Sequence, residues 1–190
     1  MKKGRLGELA ILTAAIAGVG LSMAVVQAQE ERIAFPANYA TEYSNFLSLD
    51  RLANDGQIMR IFANDIAMQG PGEDGRLADG AIIVGEIFAA LKDDDGNVIL
   101  SDLGRRIRGN LAAVAVMEKR DGWGDDFADE VRNDDWDFAL FGPDGTRRDT
   151  DLDSCRACHS PLEDIDHVFS FQHLPPSAVY VPPAGDPMGL

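Results

Sequence analysis

The sequence predicts an α+β fold: a mostly antiparallel β-sheet, entered by an N-terminal helix and followed by a short C-terminal helix. Three observations carry that prediction. Apolar runs rich in Val, Ile and Phe occupy 81–91, 111–119 and 136–141, with Gly, Pro and Asp between them. Ahead of those runs, Tyr39, Tyr43, Phe46, Leu47 and Leu49 approximate a helical stripe. Behind them, 151–160 reads as one short helix with an acidic start.

In chain order, the first helix is expected over 37–54, because Pro36 sits where a first turn tolerates it. A short strand over 57–62 follows, with Ile58, Arg60 and Phe62 on one face. Gly70-Pro71-Gly72 marks a loop. The strand over 81–91 is the clearest. Asp95-Gly96 tips a charged turn at 93–97, a hairpin signal leading toward the strand over 111–119. A fourth strand, 136–141, stops at Gly142-Pro143-Asp144-Gly145. The late helix takes Asp153 or Ser154 as its N-cap. A last strand is expected over 167–171.

The chain has 190 residues, 45% of them hydrophobic, which suits one folded domain and excludes wholesale disorder. Acidic residues outnumber basic ones 32 to 17. That balance argues against nucleic acid and anionic membranes as partners, since binding phosphate needs a supply of cations. A basic redox partner is the protein partner it favours, with the acid-rich stretch 125–137 as a docking patch or simply a solvated face. Lys2, Lys3 and Arg5 precede an apolar stretch at 9–26 that ends in Val26-Gln27-Ala28. That pattern is a secretory signal peptide over 1–28, with an uncleaved membrane anchor as the alternative. The folded domain is then 29–173. Five of the nine prolines fall in the tail 174–190, which should be extended.

The two cysteines of the chain stand three apart in Cys155-Arg156-Ala157-Cys158-His159. This is the spacing of covalent haem c attachment. Positions i, i+3 and i+4 share one face of a helix, so two thiols reach the haem vinyl groups while the imidazole reaches the iron. A redox Cys pair wants a thioredoxin-like βαβ setting, and zinc wants two further ligands beyond the cysteine pair. His159 is therefore the candidate iron ligand, and Cys155 and Cys158 the candidate attachment points for one haem. No His lies upstream of the motif. Met59, Met68 and Met117 read as core side chains, and His167 and His173 as surface or structural residues. An open distal side on the iron follows. The alternation at 149–153 imitates a calcium loop, but Ser160 stands where that loop needs Glu.

Several segments resemble the cytochrome P-460 and cytochrome c′-beta family. They are Phe35-Pro36-Ala37-Asn38-Tyr39, Met59-Arg60-Ile61-Phe62-Ala63-Asn64, Asp79-Gly80-Ala81-Ile82-Ile83-Val84, Val116-Met117-Glu118-Lys119, the Cys155–His159 motif, and Asp166-His167-Val168-Phe169. The resemblance implies a periplasmic homodimer of mostly β subunits. Each subunit would hold one five-coordinate c-type haem on His159, attached through Cys155 and Cys158. It also implies either nitric oxide binding or hydroxylamine oxidation. The oxidising members carry a Lys bonded to the haem edge, which aligns with Gly85, and a distal carboxylate, which aligns near Ala115. Lys92 is a poor substitute for the first, and strand alternation turns Glu118 away from the face of Ala115.

These departures favour an apolar distal pocket that binds nitric oxide or a similar small ligand. An enzyme oxidising hydroxylamine is the alternative, and a simple electron carrier a third reading. Gly85 sits mid-strand, where a haem edge would approach the backbone. Leu111, Ala113, Ala115 and Met117 share one face, as pocket wall or as plain core. Phe62 and Phe88 are candidate aromatic caps over the iron or core aromatics. Arg60 is a candidate for a haem propionate or a bound ligand, or else a solvated edge residue.

Overall fold

The computed structural model describes residues 32–175. The expected leader, 1–28, and residues 176–190 of the proline-rich tail lie outside them. Among the described residues no helix is long and apolar enough to cross a membrane.

Five strands form one antiparallel meander: β1 (Ser44–Asp50), β2 (Gln57–Ala63), β3 (Ile82–Ala90), β4 (Arg108–Lys119) and β5 (Trp136–Phe141), lying side by side in chain order. Two α-helices flank the sheet in sequence, α1 (Tyr39–Glu42) and α2 (Asp153–His159). Consecutive strands joined by turns keep every pairing local in sequence, and antiparallel pairs need no crossover. The 93–97 turn occurs as expected. It lies on an arm beyond β3 in which Lys92 bridges Val98 and Leu100 bridges Arg106.

The first helix is a single turn, not 37–54. Its second half is strand β1, bonded to β2. A bulge between Asn45 and Leu47 explains the misleading stripe. The bulge brings Phe46 and Leu47 to the same core cluster, and two adjacent inward residues imitate a helical period. The last strand, 167–171, is also absent. In its place are one-turn 3-10 helices at Glu163–Ile165 and Phe171–His173, around Asp166 and His167 at φ of 50° and 59°. Left-handed backbone does not continue a strand.

The two sheet faces carry different cores. One packs Phe62, Val84, Val114, Val116, Ala139 and Phe141 beneath Ile33 and Tyr39 of the N-terminal segment. Val84 and Val114 there are fully covered, each burial being worth roughly 1.5–3 kcal/mol. The other packs Ile61, Ala63, Ile83, Met117, Trp136 and Phe138 against Ala67, Leu77, Val168, Leu174 and the half-buried Cys155. Helix α2 therefore belongs to this second face.

Candidate functional site

Helix α2 holds all three motif side chains in seven residues. Its N-cap is Leu152, without a side-chain cap, rather than Asp153 or Ser154. The Asp153 amide instead donates to Asp151 Oδ1 at 2.9 Å. Asp153 occupies the first turn and binds Arg156 one turn on, at 2.9 Å. Arg156 is the residue that seats the helix. It is buried, stacks 4.4 Å from the centre of the Phe127 ring, and donates to Asp137 of β5 at 2.7 Å. Its carbonyl accepts from the buried Asn133 side chain at 3.1 Å. Pinning one side of the helix inward leaves Cys158 exposed and Cys155 half-buried, with both thiols free.

His159 lies between two aromatic rings, Phe138 and Phe169, each 4.9 Å away in edge contact. Its Nδ1 sits 2.7 Å from the His167 carbonyl, while His167 Nδ1 sits 3.1 Å from the His159 carbonyl. A carbonyl only accepts, so both Nδ1 atoms carry the proton. The neutral His159 then presents a bare Nε2 lone pair, the form in which imidazole binds a metal. Burial is the main cause that pushes the His159 pKa below its ordinary value, and this favours the neutral ring.

The loop that supplies the His167 carbonyl is tied down by Asp166. This carboxylate is wholly buried and accepts from Lys119 Nζ at 2.8 and 3.1 Å and from the Leu77 amide at 2.8 Å. Arg76 approaches it at 3.5 Å and also pairs with Asp134. Left-handed backbone at non-glycine residues costs on the order of 1–2 kcal/mol each, so the two in succession at 166 and 167 need such anchoring. Beside these groups an open cleft of about 990 Å³ is lined in part by Arg76, Lys119 and Asp134, but by none of the three motif side chains.

Of the other sequence candidates, Gly85, Ala115 and Met117 lie on the sheet face that α2 covers. Gly85 pairs with Ile61 on one side and Ala115 on the other, and Ala115 pairs with Leu140. Ala115, Leu140, Leu47, Met59 and Ile87 are only half-buried, although several sit on inner strands. On the opposite face at the same height, Val84, Glu86, Val114, Val116 and Ala139 are all buried. A Cβ on Gly85 would stand 2.8 Å from Met59 Cε, so here the close neighbour is the mobile end of a methionine.

Arg60, Phe62 and Phe88 are not part of this surface. Alternation places them on the opposite face, where Arg60 donates to the buried Glu86 at 2.6 Å and lies 5.3 Å from both rings. Tyr39 donates to the same carboxylate at 2.9 Å. Leu111 is there too, because a register shift pairs it with Phe88 immediately after Ala113 pairs with Ile87. Lys92 is exposed on the arm. Glu118 faces away from Ala115, bonded to Arg120 at 2.8 Å.

Sequence reading missed Arg156, Asp166, His167 and Lys119 as site residues. Lys119 was accessible, since it lies two positions beyond Met117 on the same face. Arg156 lies inside the motif, but its role depends on the distant Asp137, and Asp166 and His167 act through loop geometry that leaves no periodic trace.

Two free thiols and a bare imidazole nitrogen on one short helix, beside a half-covered apolar sheet face, fit a haem: the apolar face could hold the ring and the nitrogen could bind the iron. These are the parts of a cytochrome. The family model for cytochrome P460 matches residues 36–170, so the chain belongs to the cytochrome P460 family and is a haem-binding cytochrome. No curated protein matches the chain.

Proposed function

We propose that the chain is an exported c-type cytochrome whose single haem is bonded to Cys155 and Cys158, with His159 as the one protein ligand of the iron. Its distal side takes up nitric oxide or a similar small neutral ligand. One observation carries this reading. Along β2 to β5, the sheet face toward α2 shows one ionisable side chain, Lys119, and its ammonium is bonded to Asp166. Oxidising hydroxylamine removes protons, and a missing general base typically costs 10²–10⁴-fold in rate. An apolar wall suits a neutral diatomic.

Bound haem would supply a five-coordinate iron able to take a sixth, external ligand. The protein's part is to hold and shield. Phe138 and Phe169 fix the imidazole plane, and the His167 carbonyl holds the proton on Nδ1. Gly85 and Ala115 keep the sheet centre free of large side chains of their own, with the Met59 methyl lying over Gly85. The c-type attachment motif and the leader expected over 1–28 both agree with export and a periplasmic location. The homodimer and a basic redox partner belong to the same reading and are tested by sedimentation and by cross-linking.

The absorption spectrum of the purified ferrous protein tests the central claim. The expected result is an ordinary high-spin c-type band that shifts on adding nitric oxide, and its loss in His159→Ala. A low-spin spectrum before any ligand is added would indicate the electron carrier instead. A broad, strongly red-shifted band would show a modified ring and return the hydroxylamine enzyme.

A further inference from the structure

The haem reading explains Cys155, Cys158 and His159. It leaves unexplained a buried ion pair that does not touch them. Asp166 has no solvent exposure, yet three residues from two chain segments supply it with donors: Lys119 at the end of β4, and the adjacent pair Arg76 and Leu77, the latter through its amide. Lys119 is itself buried, and its ammonium lies 5.8 Å from the centre of the Trp136 ring. Burying both charges is expensive, and hydrophobic replacements of such pairs are often no less stable. What this pair fixes is geometry. Asp166 and His167 both stand in left-handed backbone, and it is this turn that carries the His167 carbonyl back to His159 Nδ1 at 2.7 Å.

We propose that Asp166 and Lys119 are positioning residues for the His159 ligand: their buried ion pair holds the left-handed turn that aims the His167 carbonyl at His159 Nδ1. The proposal rests on His159 being the iron ligand. The physical consequence is electronic as well as structural. A firm Nδ1–H donation to a carbonyl makes the imidazole a more basic ligand, so it binds iron more strongly and stabilises the oxidised metal. When the pair is broken, the turn relaxes toward ordinary backbone, the carbonyl swings off Nδ1, and the ligand weakens.

The test uses the full-length, haem-loaded protein and its Lys119→Gln, Lys119→Arg and Asp166→Asn variants. Val84→Ala, on the far face of the sheet, controls for general destabilisation. The readouts are the iron–histidine stretching frequency of the ferrous form, by resonance Raman, and the midpoint potential. Lys119→Gln and Asp166→Asn should lower the frequency and raise the potential. Lys119→Arg should return both toward the parent, and Val84→Ala should lower the melting temperature while leaving both in place. If Lys119→Gln melts earlier but keeps the parent frequency and potential, the pair is structural only and the proposal is wrong. Should Asp166→Asn fail to load haem, the two Lys119 variants decide alone. A parent protein without any iron–histidine band overturns the haem reading and this proposal with it, whereas a normal parent with unmoved variants overturns only the proposal.

Discussion

Arg156 is one of the two residues between the cysteines, and it is buried while its neighbour Ala157 is exposed. Its guanidinium satisfies Asp137, which is buried on β5. Arg156→Leu leaves that carboxylate without its cation, which costs about 3–5 kcal/mol for a pair of this kind. Urea unfolding at neutral pH should show the loss, and Arg156→Leu combined with Asp137→Leu should recover much of it.

A second residue-scale prediction concerns Tyr39. Burial, then the hydrogen bond to Glu86, hold its phenol well above the ordinary value of 10.0. A raised folded value means the contribution is whole below pH 10.0 and is lost as pH climbs toward the folded value. Stability should therefore fall with pH above 10.0, by up to about 1.4 kcal/mol per unit for this one proton. Tyr39→Phe should make that alkaline slope shallower. Tyr43, also raised by burial, supplies part of what remains. Urea midpoints measured between pH 9 and pH 12 check it.

At the scale of elements, two glycines separate close approach to a side chain from close approach to backbone. A Cβ on Gly85 in β3 meets the terminal methyl of Met59, which can rotate aside. A Cβ on Gly124 would lie 1.9 Å from the Asp134 carbonyl oxygen, which cannot. Gly85→Ala should change stability by less than about 1 kcal/mol, and Gly124→Ala should cost about 3 kcal/mol or more. Thermal melts of the two variants side by side give the comparison. Gly124 belongs to the segment that packs the 134–135 turn, so the effect of its loss should extend to the pocket wall of Asp134 and Arg76.

Across the whole molecule, the charge of −15 sets the response to salt. Self-repulsion at that charge destabilises the compact state. Raising ionic strength from 0.01 to 0.15 M shortens the screening length from about 30 to 8 Å. The urea midpoint should rise over that range, because the exposed ion pairs that salt weakens are each worth little. A falling midpoint would mean that pairs such as Arg105–Asp50, which ties the arm to β1, matter more than the overall repulsion.

The legible part of this protein was local. Strands β2 to β5 announce themselves in short β-forming runs bounded by Gly, Pro and Asp. The motif at 155–159 carries its chemistry in residue type and spacing alone, and the resemblance to the family came from segments in the right order. What only tertiary structure decided was which face of the sheet each residue serves. A bulge in β1 turned a strand into an apparent helix, and a register shift beside Phe88 moved Leu111 across the sheet. The sequence offers Arg60, Phe62 and Phe88 either to a haem or to core and solvent, because alternation defines two faces without saying which one meets α2. That choice is made by long-range contacts: the N-terminal segment packs on one face, and Cys155, Val168 and Leu174 pack on the other. The carbonyl that orients His159 was hidden for the same reason. It depends on two left-handed residues and a buried ion pair joining Asp166 to Lys119, 47 positions apart in the chain.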